Sequence, residues 1–295
     1  MQFDLAAAVK AIEDRPPSNH TLRELVQAFS AATAGDADLR LRKWLDAFGE
    51  LPAWDVKADE LQKAADAMRQ AGYAPASVNR DLSALGSAYK WAKKNRLCPR
   101  GFVSPTTQIS RSPEPIRRVH VEPAVIDAVR KLALIYPDAR FGVYVSLLID
   151  TGARKSELLR RYGRDLDLER CEVLAPVTKN GTPRVLMFRD STSTLIRRVY
   201  KSIDPDRLLF EGRVRGQPIN FRKAWEFVTR EAGRPDLRMH DLRHVRAADL
   251  LRSGESVAVA AQVLGHDAAV LTRRYGHLET RALRQAQERS WAQAA

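Results

Sequence analysis

Four of the six histidines in this 295-residue chain fall between residues 240 and 277. His240 and Arg243 are three residues apart, a spacing that places both side chains on one face of a helix. His266 follows a glycine, and Tyr275 comes nine residues later. A guanidinium binds phosphate oxygens, an imidazole transfers protons, and a phenol can be a nucleophile. This stretch therefore predicts a reaction at a phosphodiester.

Two stretches further upstream add cations. Arg154 lies just after Gly152 in TGARKSELL, where a turn can direct its side chain towards a ligand. Lys179 precedes an Asn-Gly pair between the apolar runs CEVLAPVT and TPRVLMF, which predicts the tip of a β-hairpin. Taken alone, each would be an ordinary surface cation. Glu157 is expected to have a structural, capping or pairing role, and Lys155 to be solvated.

These stretches together resemble the tyrosine recombinases, the phage integrase family. The resemblance rests on HDLRH, LGH and T-x-x-Y-x-H in the C-terminal part, and on TGARKSELL and TKNGTPR before it. Six chemically required positions follow the order of the family: Arg154, Lys179, His240, Arg243, His266 and Tyr275.

The resemblance implies positive charge at the reacting phosphate. Arg154 and Arg243 would bind its non-bridging oxygens in the bidentate geometry that a guanidinium allows. His266, on a turn after Gly265, would donate a hydrogen bond to a phosphate oxygen. Together these groups would stabilise the charge that develops in the transition state.

The resemblance also implies a route for the protons. Tyr275 would be the nucleophile, and His240 would accept its proton. His244 would support these residues without contacting the substrate. Lys179 would protonate the departing 5′ oxygen. The products are a 3′-phosphotyrosine and a free 5′-hydroxyl, and this scheme needs no metal, ATP or other cofactor.

The composition is typical of a globular protein, and the charged residues are unevenly distributed along the chain. Residues 1–110 hold 15 basic and 13 acidic residues, whereas residues 111–295 hold 34 and 23. A net charge of +13 favours nucleic acid as a partner, although some arginine-rich proteins are basic without binding any. No stretch approaches the ~18 apolar residues of a membrane span. The two separated cysteines suggest neither a disulfide framework nor a metal site, and the expected location is the cytoplasm, on the nucleoid when DNA is bound.

Residues 1–105 are expected to form an N-terminal helical domain. Apolar spacing predicts four helices, the last starting near Pro75. That last helix is rich in basic residues and is the expected DNA-binding face, with four candidate contacts: Arg80, Lys90, Lys93 and Lys94. Its pattern also resembles the core-binding, SAM-like domain of recombinases. A solvated helix face is the alternative.

The expected fold class is mainly α with a small β-hairpin or sheet. Residues 106–119, rich in proline and serine, are expected to be a linker. Residues 120–295 would form a mixed α/β catalytic recombinase domain ending in a tail helix. Two helices, PAVIDAVRKLALIY and ARFGVYVSLLID, are expected before Gly152, the second of them buried.

The sequence therefore predicts an integrase-type recombinase acting on double-stranded DNA. The resemblance implies a homotetramer on paired sites, with the tail docked on a neighbouring subunit, and leaves accessory DNA-bending proteins open. Two alternatives are a type IB topoisomerase-like nicking-closing enzyme and a catalytically silent DNA-binding protein. Zinc bound by His240 and His244 lacks an obvious third ligand, and a helix-turn-helix explains neither Lys179 nor Tyr275.

Overall fold

The computed structural model describes residues 19–114, 120–176, 183–265 and 267–275, and positions 284, 287, 288 and 291 beyond them. Lys179, His266 and most of the tail therefore lie outside the described residues. The chain divides into two compact units, residues 1–117 and 118–295. The described part is mainly helical, with a three-stranded sheet in the second unit, which confirms the predicted fold class.

The first unit is a helical bundle. Helices α1 to α5 span Leu22–Thr33, Ala37–Arg40, Arg42–Phe48, Ala58–Gln70 and Pro75–Lys94. A capping box at Thr21 begins α1, and Pro75 occupies the first turn of α5, where a missing amide hydrogen costs nothing. Trp44 and Tyr89 are each 1% exposed and belong to the core of this bundle.

The segment that follows α5 packs on this bundle. Pro105–Thr107 form a short 3-10 helix, and Ile109 is buried. Arg111 Nη1 donates to Asn79 O (2.8 Å) and Ser83 Oγ (2.7 Å), and Asn79 Nδ2 donates to Ser112 O (2.9 Å). Because these contacts satisfy polar groups against α5, residues 106–114 are held on the bundle, whereas composition alone predicts a linker there.

Helix α7 is the centre of the second unit. Helices α6 to α8 span Pro123–Leu134, Ala139–Thr151 and Lys155–Leu159. Every residue from Phe141 to Thr151 is buried, as the nearly continuous apolar run predicts. α7 packs against α6 and against two later helices, Asp190–Val199 (α9) and Met239–Arg252 (α11). This packing fixes the position of the C-terminal end of α7, and Arg154 follows that end by three residues.

The sheet is antiparallel with strand order β1-β2-β3, formed by Leu166–Asp167, Glu172–Ala175 and Arg184–Met187. Val173 lies opposite Leu186, and both side chains are buried. The two strands of the predicted hairpin are confirmed. β1 has only two residues, too few to give an alternating pattern.

The C-terminal part of the second unit is helical. After α9 come Arg222–Glu231 (α10), α11, Val257–Leu264 (α12) and Ala268–Tyr275 (α13). Gly254 and Gly265, with φ of 97° and 61°, separate α11, α12 and α13, since glycine adopts positive φ without strain. Asp267 Oδ1 accepts from Ala269 N at 2.7 Å, as expected of a residue that begins a helix. Over the described ranges, no helix has both the length and the apolar character that a membrane crossing requires.

Candidate active site

Arg154 is positioned by a tight turn at the end of α7. Gly152 adopts the left-handed conformation (φ 61°), and a Cβ there would lie 2.6 Å from Leu264 Cδ2 and 3.0 Å from Arg246 Cγ. Only glycine fits, because both the backbone angle and the close approach of α11 and α12 exclude a side chain. The turn places Arg154 at the N-terminal cap of α8, facing the other helices of the site.

Glu157 connects two arginines. Its Oε1 lies 2.6 Å from Arg154 Nη1, and its Oε2 lies 2.7 Å from Arg184 Nη2. Oε2 also accepts from the backbone N of Arg154 at 2.9 Å. Burial alone would raise the pKa of this carboxyl, but the backbone hydrogen bond and the charges of Arg184 and Arg154 lower it below its usual value. Glu157 is therefore ionised and structural, as predicted.

Arg243 is the most deeply buried cation of the site. It is 1% exposed, and its Nη1 donates to Gly152 O at 2.9 Å, while Nη2 donates to Leu264 O. Burial, together with the charges of Arg154 and Arg184, lowers the pKa of Arg243 to about 9. The guanidinium thus stays protonated near neutral pH, and it also holds the ends of α7 and α12 together.

Three arginines, Arg154, Arg184 and Arg243, meet at the C-terminal end of α12 and form the arginine cluster. Arg184 Nη1 donates to Val263 O (3.1 Å), Arg154 Nη2 to Gly265 O (3.1 Å), and Arg243 to the carbonyl between them. The last carbonyls of a helix lack intrahelical donors and carry its negative partial charge. The cluster therefore fixes the turn that leads directly into His266.

The guanidiniums of the cluster repel one another, because the charge of Arg154 lowers the pKa of both Arg184 and Arg243. Three guanidiniums lie around the carboxylate of Glu157, and the side chains of Arg184 and Arg243 are at most 9% exposed. Desolvation lowers the pKa of Arg184 as it does that of Arg243. Like charges held together at low exposure favour an anionic ligand that would offset the repulsion. Arg154, with 22% of its side chain exposed, is the most accessible member.

Tyr275 lies beside the cluster, at the end of α13. It is 9% exposed, and its hydroxyl forms a short hydrogen bond with Nδ1 of His244. It is also close enough to Arg243 for an electrostatic interaction. The structure thus brings the predicted nucleophile next to one of the predicted phosphate-binding arginines.

His240 precedes His244 by one helical turn on α11. The two rings are 5.0 Å apart between centroids and nearly perpendicular, at 83°. The sequence assigns the nucleophile's proton to His240, whereas the hydrogen bond described for the Tyr275 hydroxyl is with His244. Among the described residues, no three histidine, cysteine or acidic side chains form a group that could hold a metal ion.

Of the six predicted catalytic residues, four are described, and all four belong to this region: Arg154, His240, Arg243 and Tyr275. Lys179 and His266 lie outside the described residues. Arg184, within the quoted TKNGTPR stretch, received no role from the sequence. The sequence did contain a clue to the direction of its side chain. Arg184 lies two residues before the apolar Leu186 on the same strand, so both side chains point to the buried face of the sheet.

The four predicted DNA contacts are all exposed on α5. Arg80, Ser83, Ser87, Lys90 and Lys94 follow one another at three- and four-residue intervals, so they form one face of the helix, here called the basic stripe. Lys93 lies beside it. Arg111, hydrogen-bonded to Ser83, adds a cation that the sequence did not assign.

Sequence comparisons match both units. The phage integrase family model matches residues 123–281, and that of the phage integrase N-terminal SAM-like domain matches residues 12–96. Tyrosine recombinase XerC of Roseiflexus castenholzii is 31% identical over 247 residues, which are 77% of this chain and 76% of XerC. Tyrosine recombinase XerA of Saccharolobus solfataricus is 32% identical over 169 residues, which are 57% of this chain and 56% of XerA.

Solved structures share the fold. The integrase of transposon Tn1549, in complex with a circular intermediate DNA, matches 92% of this chain and 99% of its own with a TM-score of 0.68 and 18% identity. A λ integrase dimer bound to a COC′ core site matches 94% of this chain and 82% of its own, with a TM-score of 0.62 and 14% identity.

Proposed function

Because this chain belongs to the phage integrase family and is a tyrosine recombinase, we propose that it cuts and rejoins duplex DNA at specific sites through Tyr275. The observation that carries the proposal is the arginine cluster, three guanidiniums held close together beside a tyrosine hydroxyl. A phosphodiester is the anionic ligand that such a site fits, since guanidiniums match its non-bridging oxygens.

The proposed reaction is a transesterification. Tyr275 attacks the phosphorus and forms a 3′-phosphotyrosine, while the 5′ oxygen leaves and takes a proton from Lys179. Arg154 and Arg243 stabilise the transition state by their charge, and His266 donates to a phosphate oxygen. Because the phosphotyrosine keeps the energy of the broken bond, a second 5′-hydroxyl can reverse the attack without a metal ion or ATP.

His240 is proposed to assist the transfer of the proton from the Tyr275 hydroxyl. It lies on α11 three residues before Arg243, and its ring neighbours that of His244. The bidentate contact expected of Arg243 needs a qualification, because its described hydrogen bonds are to backbone carbonyls. We therefore propose that Arg154, the more exposed guanidinium, makes the first contact with the phosphate. Arg243 would act through a charge that its hydrogen bonds to Gly152 O and Leu264 O hold at a fixed position.

Covalent trapping tests the proposal. Wild-type protein and a Tyr275→Phe variant would be mixed with supercoiled plasmid carrying the gene's flanking DNA, quenched with SDS, and analysed for protein attached to DNA. We expect an adduct through Tyr275 that the phenylalanine variant cannot form. Tyr162→Phe, a change at another tyrosine of the same unit, is the matched control and should leave the adduct intact.

The outcome also separates the two alternatives. Tight binding without an adduct, even on nicked duplexes that trap the intermediate, would favour a silent DNA-binding protein. A topoisomerase-like enzyme would be favoured if the protein forms the adduct and relaxes supercoiled plasmid as a monomer, but never joins two duplexes. A recombinase should join strands between paired sites, where we propose that four copies assemble. Most of the tail that would link them lies outside the described residues.

The basic stripe is the proposed contact of the first unit with the DNA backbone. Two of the structural relatives are integrases bound to DNA, which supports this partner. Removing one cation that binds a phosphate reduces the dependence of log K on log salt by about 0.9. The double variant Lys90→Gln/Lys94→Gln should therefore bind more weakly, with a salt slope reduced by about 2.

Two exposed lysines elsewhere in the bundle provide the control. The double variant Lys57→Gln/Lys63→Gln makes the same change in charge away from the stripe. Fluorescence anisotropy with a labelled duplex at several salt concentrations measures both slopes. If the two double variants reduce the salt slope equally, the basic stripe does not contact DNA more directly than other positive charges of the bundle do.

A further inference from the structure

We infer that His244 is the residue that takes the phenolic proton of Tyr275 when the tyrosine attacks DNA. This inference rests on the proposed function and assigns a step within it. The hydroxyl of Tyr275 and Nδ1 of His244 are hydrogen-bonded in the structure. A general base must lie within hydrogen-bonding distance of the proton it removes, and His244 meets that condition.

The position of the pair follows from the packing of three helices. His244 extends from α11, one residue after the buried Arg243, and α11 packs against α12 and α13. Leu271, one helical turn before Tyr275, is fully buried in the small core that these helices share. That core fixes the end of α13, so the phenol is directed at His244 by packing as well as by the hydrogen bond.

The chemistry of the two groups suits the transfer. A phenol has an ordinary pKa of about 10, and an imidazole one of about 6.5, so near pH 7 the phenol is protonated and most imidazoles are neutral. His244 accepts at Nδ1 only in the tautomer that carries its hydrogen on Nε2. With Tyr275 as the donor, His244 is in this neutral tautomer, which can receive a proton.

The proposed step balances. The bond between Tyr275 Oη and phosphorus forms, the phenolic proton passes to His244 Nδ1, and the bond between phosphorus and the 5′ oxygen breaks. The leaving oxygen takes a proton from Lys179. On rejoining, the incoming 5′-hydroxyl gives its proton back to Lys179, and the imidazolium of His244 returns one to the phenolate.

His240 complements this assignment. Its ring lies 5.0 Å from that of His244, so protonation of both would place two like charges together. The pair therefore accommodates one added proton more readily than two. His240 then influences how readily His244 accepts the proton.

A His244→Gln variant tests the inference, because glutamine can still accept a hydrogen bond from Tyr275 but cannot take its proton. The measurement is the single-turnover rate of adduct formation on a nicked duplex that contains the cleavage site mapped by covalent trapping. General base catalysis contributes roughly 100-fold or more, and we expect a loss of about that size. His120→Gln, at an exposed histidine of the same unit, should react at the wild-type rate.

A second substitution separates proton transfer from a structural role. Replacing Tyr275 by a fluorinated tyrosine gives a phenol that ionises near neutral pH, which removes the need for a base. We expect this change to recover most of the rate that His244→Gln loses. The inference is overturned if His244→Gln reacts at the wild-type rate, or if its defect persists with the fluorinated phenol. Failure of the proposed function looks different, because the wild-type protein itself would then form no adduct.

Discussion

Replacing Glu157 by glutamine is expected to lower the free energy of unfolding of the second unit by about 3 kcal/mol, the cost of removing one partner from a buried ion pair. The loss is large because Glu157 is the only carboxylate described in contact with Arg154 and Arg184, and its side chain is 6% exposed. Glutamine keeps the size of the side chain but leaves the arginine cluster without its anion. Urea unfolding with pulsed hydrogen exchange on peptides from residues 139–159 would report this unit separately from the first.

The effect should depend on pH with a definite sign. The pKa of Glu157 is lowered in the folded state, so its stabilisation is complete above its unfolded value of about 4.3 and is lost as pH falls through the folded value. The difference between wild type and Glu157→Gln should therefore shrink in acid. Lys155→Gln, at an exposed residue of the same helix, is the control and should be neutral. A difference that stays constant into acid would show that charge is not the cause.

Replacing Arg243 by lysine is expected to slow adduct formation by at least about 100-fold, the usual effect of losing one preorganised group that stabilises transition-state charge. Lysine keeps the charge, but its single ammonium cannot reproduce the planar fork that reaches Gly152 O and Leu264 O from two nitrogens. The turn before His266 would then be held by Arg154 and Arg184 alone. Single-turnover rates on a nicked duplex measure the effect.

Arg252→Lys is the matched control for this variant, since Arg252 is exposed at the end of the same helix. A buried carbonyl left without a donor costs about 1–3 kcal/mol, so the stability of Arg243→Lys should fall as well. Hydrogen exchange in α11 and DNA binding would establish that the variant is folded under the assay conditions. A folded Arg243→Lys protein that reacts at nearly the wild-type rate would contradict the proposed role.

The turn at Arg154 could be predicted because its cause is local. Gly152 is a residue that readily adopts a positive φ, and it follows an apolar run long enough for a buried helix. The hairpin strands and the glycine breaks at Gly254 and Gly265 have equally local causes. In contrast, residues 106–114 have the composition of a linker, and only the contacts of Asn79 and Arg111 show that they are held on the bundle.

The parts of the site that escaped prediction depend on contacts between distant positions. Arg184 is 27 residues from Glu157, and its inward direction gives no sign of which carboxylate it meets. His240 and His244 are both on α11, and the contact between His244 and Tyr275 depends on how α13, which ends 31 residues after His244, docks on α11.

The arginine cluster also links folding to DNA binding under the proposed function. Its three cations lie around one described carboxylate in a poorly solvated place, so the chain retains a repulsion that a bound phosphate would relieve. A ligand that binds only the folded state raises its stability by RT ln(1 + [L]/Kd). Under the proposed function, the DNA backbone would therefore act as a structural component of the second unit, and the helices around Tyr275 would reach their full stability on the substrate itself.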